Sequence, residues 1–506
     1  MPPSTPAFAR LLPLLLALTA AAACADSART VQRRQSFDRD PGWEGYNNRL
    51  LPATLPTVTQ EFGYSPTGFA GRAVGELGGT VTRASEPAYY ADRIGPRTLD
   101  DHLTASGSFA LTRTTGGGGL FFGFFRAQQP GGGGRPISSL GMDLDTEKFG
   151  GRLAVRLITG KNQSCGTFIT PFLPGKFRPT PLRNDGTRYS WTLDYDPTGA
   201  GGRGRFTFTL HGAAPKPGEL ERPDLPDAYR AEARARFPST TTFTVDLPDG
   251  YRQQNTTFDH FGLMNMMKPG GQVMIFFDDL SYEGRTQDFT QDPHWDSVRN
   301  RGSYAAADVS GAHNFGFSST NHAGGQPGEI GGVFWRSDHW GYYADRVGAL
   351  SLEDRLEAHG RVVLAAGGPD ADMCFGWFGS KTGGPSPFED GTFVGVKVGG
   401  PTRVGHYFLP AFHAGDSRRV LPKQGPVLEP GKAYEWSLVY DPAASSGQGA
   451  LTAKLGSETV TLALRPGQKA AAREARLDRF GLLSIGPGGQ IVRLYLDDLE
   501  YTAADK

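Results

Sequence analysis

Tyr189-Ser190-Trp191-Thr192-Leu193-Asp194-Tyr195-Asp196-Pro197 returns in the second half of the chain as Tyr434-Glu435-Trp436-Ser437-Leu438-Val439-Tyr440-Asp441-Pro442. In each copy large apolar residues alternate with smaller or polar ones, the period of a strand with one buried face. The alternation continues through Phe206-Thr207-Phe208-Thr209-Leu210. It also runs through residues 452–464, where Gly456-Ser457 supplies the turn of a hairpin. The segment is therefore β, and it is written twice.

Other blocks recur in the same order. Phe37-x-x-Asp40-Pro41-x-Trp43 with Asn48-Arg49 returns as Phe289-x-x-Asp292-Pro293-x-Trp295 with Asn300-Arg301. Phe62-Gly63-Tyr64-Ser65 and Gly75-Glu76-Leu77-Gly78-Gly79 return as Phe315-Gly316-Phe317-Ser318 and Gly328-Glu329-Ile330-Gly331-Gly332. Tyr89-Tyr90-Ala91-Asp92-Arg93 returns as Tyr342-Tyr343-Ala344-Asp345-Arg346. Each copy closes on Phe-Gly-Leu (Phe261 and Phe480) and then on Asp-Asp-Leu-x-Tyr, at 278–282 and 497–501. The period, about 250 residues, is too long for a solenoid unit. Two tandem globular domains follow, 35–285 and 286–503.

Composition agrees. The chain has 506 residues, of which 70 are Gly and 37 Pro. That is roughly twice the usual glycine share, and it calls for many tight turns between short strands and excludes long helical bundles. Helices are expected only as short insertions, at 227–236 inside an insert near 213–238, and at 468–476. Lysine plus arginine and aspartate plus glutamate are equal at 52 each. A balanced charge argues against a nucleic-acid partner, which would need a basic surplus. At 38% apolar and 11% aromatic the chain has ample material for cores.

Arg10 precedes an apolar run, residues 11–23, too short for the ~20 residues of a membrane span. Small residues close it at Ala21-Ala22-Ala23-Cys24, so residues 1–25 read as an export signal. Cys24 is either a lipid attachment site or part of a plain secretory cleavage region; both readings stay open. The mature protein is expected outside the cytoplasm, extracellular, periplasmic or lipid-anchored, with no transmembrane segment. Cys165 and Cys374 either pair or stay as two buried thiols.

Domains of this size with many strands suit jelly rolls better than seven-stranded sandwiches. The closing run of aromatic and aliphatic residues before Asp-Asp-Leu-x-Tyr resembles the last strand of concanavalin A-like lectin and glucanase domains. The resemblance implies an all-β chain of two tandem jelly-roll β-sandwiches. It also implies a structural calcium held by the first aspartate of the last strand, Asp278 or Asp497, with Asp40 and Asp292 as partners from the opening strand. An aspartate that caps a loop or pairs with arginine is the alternative. No organic cofactor is expected, since no phosphate loop, nucleotide fingerprint or nucleophile elbow occurs.

Polar and aromatic residues kept in both copies are what the common domain needs. As ligand contacts they are Trp43, Asn48, Arg49, Glu76, Arg83, Tyr89 and Tyr90, with Trp295, Asn300, Arg301, Glu329, Arg336, Tyr342 and Tyr343. Aromatic faces stack on pyranose rings, and planar polar groups hydrogen-bond vicinal hydroxyls. The bland alternative is that they are core tyrosines and buried ion pairs. Seven of the 10 histidines fall in copy 2, among them His313, His322 and His339 around Glu329, where copy 1 has Gln60, Phe69 and Glu86. Any chemistry is therefore expected in copy 2, with exposed loop histidines as the plain alternative.

The reading that follows is an exported carbohydrate-binding protein that grips a polysaccharide through two equivalent sites, which raises avidity on a repeating ligand. Two alternatives stand beside it. One is a glycoside hydrolase or polysaccharide lyase with its site in copy 2, although Glu-x-Asp-x-x-Glu and Gln-Ile-His are both absent. The other is a structural or adhesive cell-surface protein.

Overall fold

Alternation builds the architecture strand by strand. In the computed structural model, strand Arg188–Asp196 buries Tyr189, Trp191, Leu193 and Tyr195 and exposes the residues between them. It pairs antiparallel with Leu103–Thr114 on one side and Arg205–His211 on the other. The structure describes residues 29–127, 134–148, 150–169, 182–212, 223, 227, 230, 240–337, 339–368, 371–380, 386–388, 391–400, 405–414, 420–471, 474–486 and 490–505. The export signal, most of the 213–238 insert and its helix lie outside these. The second expected helix is present but short, Gln468–Ala471.

Four antiparallel sheets form two sandwiches. In sandwich I one sheet runs Thr240–Asp246, Arg205–His211, Arg188–Asp196, Leu103–Thr114, Gln272–Tyr282, Glu76–Thr82, Thr57–Ser65 and Arg301–Ala305. The other runs Ser164–Phe168, Gly150–Ile158, Ser139–Glu147, Gly119–Phe125, Thr257–Asn265, Tyr89–Thr98 and Asp296–Val298. The chain passes back and forth between the two sheets, with hairpin runs such as Gly119–Phe125 through Ser164–Phe168 kept within one sheet, the winding of a jelly roll. Phe122 from one sheet stacks on Phe277 from the other at 3.9 Å between ring centroids, so the two faces enclose one core. Sandwich II repeats this design. Its first sheet is Asn314–Ser318, Glu329–Trp335, Ile491–Ala504, Leu356–Gly367, Ala433–Asp441, Ala450–Leu455 and Glu458–Ala463. Its second is Glu44–Tyr46, Tyr342–Leu350, Leu477–Ser484, Ala371–Phe378, Thr392–Gly400, His406–Ala414 and Val427–Leu428. The fold is all-β, and the hairpin at Gly456-Ser457 joins paired strands as expected.

The sheets do not respect the boundary between the sequence repeats. The first arm of the chain, residues 30–50, lies on sandwich II. Thr30–Gln35 pairs with the last strand, from Thr30 opposite Ala504 to Gln35 opposite Leu499. Glu44–Tyr46 pairs with Tyr342–Leu350. The homologous arm at the start of the second repeat, residues 285–305, lies on sandwich I. Its pieces Arg285–Gln287, Asp296–Val298 and Arg301–Ala305 pair with Gln272–Tyr282, Tyr89–Thr98 and Thr57–Ser65. By sheet membership sandwich I is thus residues 57–305, and sandwich II is 314–504 closed by 30–50. Ranges 35–285 and 286–503, taken from the repeat, put each arm with the wrong sheets. Both docking sites carry the same residues, so the repeat alone cannot say which arm goes where.

Each arm inserts its aromatic pair. Phe37 and Trp43 belong to the core of sandwich II, and Phe289, with Trp295 packed against it, to that of sandwich I. Cys165 and Cys374 are buried in the two different sandwiches. The sandwiches also touch directly, through Lys161 to Glu429 at 3.3 Å and Asn162 Nδ2 donating to the carbonyl of Gly367 at 3.2 Å. Among the described residues no helix is long and apolar enough to cross a membrane.

Because Trp43 is buried in the core it closes, Trp43→Ala is expected to cost about 3–5 kcal/mol in unfolding free energy. Urea denaturation measures it. Trp295→Ala, at the partly exposed equivalent position, is expected to cost less.

Candidate functional site

The residues kept in both copies converge on the arms. Tyr343 donates its hydroxyl to Asp40 Oδ1 at 2.8 Å, and Tyr90 donates to Asp292 Oδ1 at 2.5 Å. Trp43 lies 5.8 Å from Tyr343, and Trp295 5.8 Å from Tyr90. Asn48 Nδ2 donates to the carbonyl of Phe315 and Asn300 Nδ2 to that of Phe62, both at 2.6 Å. Arg49 donates to the Phe317 carbonyl at 2.6 Å, and Arg301 to that of Tyr64. Tyr342 holds Glu44, and Tyr89 reaches Asp296 Oδ2 at 3.3 Å. These hydroxyls are hard to ionise: burial, then the facing carboxylate, pushes Tyr89 and Tyr342 up to about 12.

Glu76 and Glu329 act as loop clamps. Glu329 accepts the backbone N–H groups of His322 and Ala323 at 2.9 and 2.8 Å. Glu76 accepts those of Phe69 and Ala70 at 3.0 and 2.7 Å. Arg83 pairs with Asp145, and Arg336 with Asp372 at 3.5 Å. The fourteen expected ligand contacts are therefore brought together as arm docks, loop clamps and ion pairs, and not as one open cleft.

The histidines divide in the same way. His313 is fully buried, with its Nε2 against the carbonyl of His339 at 2.7 Å and its Nδ1 accepting the Trp335 N–H at 3.2 Å. Burial pushes it down to about 4, which keeps it neutral. Gln60 does the same work in copy 1, bracing Thr82 through both ends of its amide.

The four aspartates expected to hold calcium are not gathered. Asp40 and Asp292 hold tyrosines of different sandwiches. Asp278 Oδ1 accepts the N–H of Asp279, and Asp497 Oδ1 that of Asp498. Among the described residues no group of three or more His, Cys, Asp or Glu side chains is placed to hold a metal ion.

Those aspartates do shape the surface. In sandwich II, Arg361 lies opposite Asp497 but His359 lies opposite Glu500, so one extra residue is accommodated on the last strand. Asp498 takes it up at φ 50°, a bulge that shifts the alternation by one. Leu494 and Leu496 before it and Leu499 and Tyr501 after it all reach the core, while Asp498 is left exposed on the outer face. Gly360 faces the bulge; a Cβ there would come within 2.7 Å of Leu499 and 2.8 Å of the Asp497 carbonyl.

Beside this bulge the outer face holds a polar groove of about 570 Å³. It is lined by His359, Gly360, Arg361, Glu435, Trp436, Ser437, Lys454, Gly456 and Asp498. Pairing sets the order across the strands, with Arg361 opposite Glu435, His359 opposite Ser437, and Ser437 opposite Lys454. The side chains of Arg361, Glu435, Lys454 and Asp498 make no hydrogen bond or ion pair among the described residues. The Nε of Arg361 is buried with no partner. Trp436 contributes backbone only, since its ring packs against Phe375 in the core at 4.9 Å. The groove therefore offers charges and hydrogen bonds rather than a stacking platform.

The same positions of sandwich I carry Ser106, Ser108, Ser190, Thr192 and Thr209. The two copies are thus not equivalent here. Gly360, Trp436 and Asp498 have the same residues in sandwich I, Gly107, Trp191 and Asp279, whereas His359, Arg361, Glu435, Ser437 and Lys454 differ between the copies, and that difference was the usable signal.

No family model matches this sequence, and no curated protein matches it. Among solved structures, domains LG4-5 of the mouse laminin α1 chain align over 89% of this chain and 92% of theirs, at 10% identity and a TM-score of 0.24. The LG1-3 region of the laminin α2 chain aligns over 84% of this chain and 62% of its own, at 10% identity and 0.22. Peanut lectin covers 38% of this chain with 90% of its own, at 16% identity and 0.24. The sandwich assignment rests on the strand pairing described above.

Asp278 and Asp497 are pushed up to about 6, chiefly by burial and then by the carboxylates of Asp279 and Glu76, or Asp498 and Glu329. Each folded carboxyl holds its proton more tightly than in the unfolded chain. Its contribution is complete below the unfolded value of about 3.9 and is lost as pH rises through about 6. Unfolding at a series of pH values should show Asp278→Asn/Asp497→Asn gaining on the natural chain between pH 4 and 7.

Proposed function

We propose that this is an exported glycan-binding protein whose ligand seat is the polar groove on sandwich II. The observation that carries the reading is the row of charged side chains in that groove without internal partners, of which Arg361, Glu435 and Lys454 stand where sandwich I has serine or threonine. Unpaired Glu435 and Asp498 accept hydroxyl hydrogens, while Arg361, Lys454 and Ser437 donate to ring and hydroxyl oxygens. A flat sheet face presents these groups at strand spacing, which suits an extended chain of sugars. Among the described residues the lining offers no exposed Trp, Tyr or Phe ring, which favours a ligand rich in polar or charged substituents over a bare glucan. The apolar run at residues 11–23 supports export.

The test is retention on a panel of plant, algal and microbial polysaccharides, with product release assayed in the same tubes. Arg361→Ala/Glu435→Ala is expected to weaken retention by at least tenfold, about 1.4 kcal/mol. Its melting temperature should stay close to that of the natural chain, because neither side chain has an internal partner. Release of reducing ends or unsaturated product would replace binding with catalysis. Retention unchanged in the double variant would remove the groove from the account.

A further inference from the structure

Sandwich I holds a second cluster of charge, on its other sheet, which neither the arms nor the groove uses. Asp143 and Asp145 stand on strand Ser139–Glu147 and Arg156 on the neighbouring strand Gly150–Ile158. Arg83 follows strand Glu76–Thr82, and Lys268 follows Thr257–Asn265. Arg135 Nε lies 2.9 Å and Arg156 Nε 3.3 Å from the same oxygen of Asp143. Arg83 contacts Asp145, and Arg135 lies 3.5 Å from that carboxylate's other oxygen. Two carboxylates are thus shared among three guanidinium groups, with the ammonium of Lys268 nearby.

Arg83, Arg135 and Lys268 against the two carboxylates leave a surplus of one positive charge, with Arg156 leaning on the same Asp143. The stretch 126–142 that brings in Arg135 has no acidic residue to offset it. The side chains of Arg83, Arg135 and Arg156 are only 7%, 11% and 12% exposed. Lys268 makes no side-chain hydrogen bond or ion pair among the described residues. The Nε of Arg83 is a buried donor without a partner. Its guanidinium lies against Gly119, where a Cβ would come within 2.4 Å. Burial, and then Arg83 beside it, pushes the Lys268 ammonium down to about 8. Buried charge of one sign without a counter-ion is costly, and a site that keeps it is built to receive one. The cluster opens to solvent on the side of Asp145, which is 28% exposed, and of half-buried Lys268.

We propose that this cluster is a seat for a doubly charged oxyanion, a sulfate or phosphate group, held by Lys268 and Arg83 with Arg135 and Arg156 behind them. Such a group supplies acceptors in the fork geometry that guanidinium groups prefer. In sandwich II the position of Asp143 is taken by Lys397, and Arg336 and Lys397 share Asp372 at 3.5 and 3.2 Å. There both cations have a carboxylate within reach, whereas Lys268 of sandwich I has none among the described residues, so the seat is assigned to sandwich I.

The experiment uses the full chain. Melting temperature is followed in sodium sulfate or phosphate at about 10 mM against sodium chloride of matched ionic strength. Sulfate or phosphate should raise it above the chloride control. Lys268→Met should melt higher than the natural chain without anion, since it removes an uncompensated charge, and should lose most of the anion-dependent gain. Retention on a sulfated polysaccharide, against the same polymer desulfated, is measured in the Arg361→Ala/Glu435→Ala background. A preference for the sulfated polymer assigns the seat to an ester on a glycan, and a response to the free ions alone assigns it to a small anion. No gain over chloride, or an equal gain in Lys268→Met, overturns the proposal. Neither result depends on the groove of sandwich II.

Discussion

Each sandwich is finished by an arm that packs an aromatic pair on its core and hands an aspartate to a tyrosine. For sandwich I the arm follows its own last strand through a tight turn at Glu283-Gly284, so it is local in sequence. For sandwich II it is residues 30–50, and its first strand pairs with the last strand along six positions. Residues 30–35 and 499–504 are therefore zipped together, and both sandwiches lie within the loop of chain between them. Trp43 sits in that loop against Phe37, Tyr343 and Tyr501. The tether between arm and sandwich I is short, residues 51–56, which keeps the arm at high effective concentration beside its dock.

The arms explain what the two repeats have in common. Asn48 and Asn300, Arg49 and Arg301, Tyr90 and Tyr343 are the same hydrogen bonds made twice, each tying an arm to a strand that would otherwise be an edge. Covering an edge satisfies backbone groups and prevents pairing with other chains. Identity between the copies thus marks scaffold, and function is to be sought where they part.

They part on opposite sheets. Sandwich II places unpaired charges on the outer face of the sheet containing the bulged last strand. Sandwich I has serine and threonine where sandwich II has His359, Arg361, Glu435 and Lys454, and it gathers a cluster of charges on the other sheet, around Asp143 and Asp145. One side-chain set is open and mixed in sign, the other largely buried and cationic in excess. The first suits an extended polar ligand and the second a compact anion.

By itself the sequence determined the β class, the repeat, the hairpin at Gly456-Ser457 and the burial of Tyr189, Trp191, Leu193 and Tyr195. Period-two alternation is a local property of the chain, and that is why these were legible. The bulge was also written locally: in Ile275-x-Phe277-Asp278-Asp279-Leu280-x-Tyr282 the apolar period slips by one residue at the aspartate pair. The partner of each arm was decided only in three dimensions, because two docks with the same residues are indistinguishable in one. The same holds for the groove. His359, Arg361, Glu435, Lys454 and Asp498 are far apart along the chain, and antiparallel pairing alone puts them side by side.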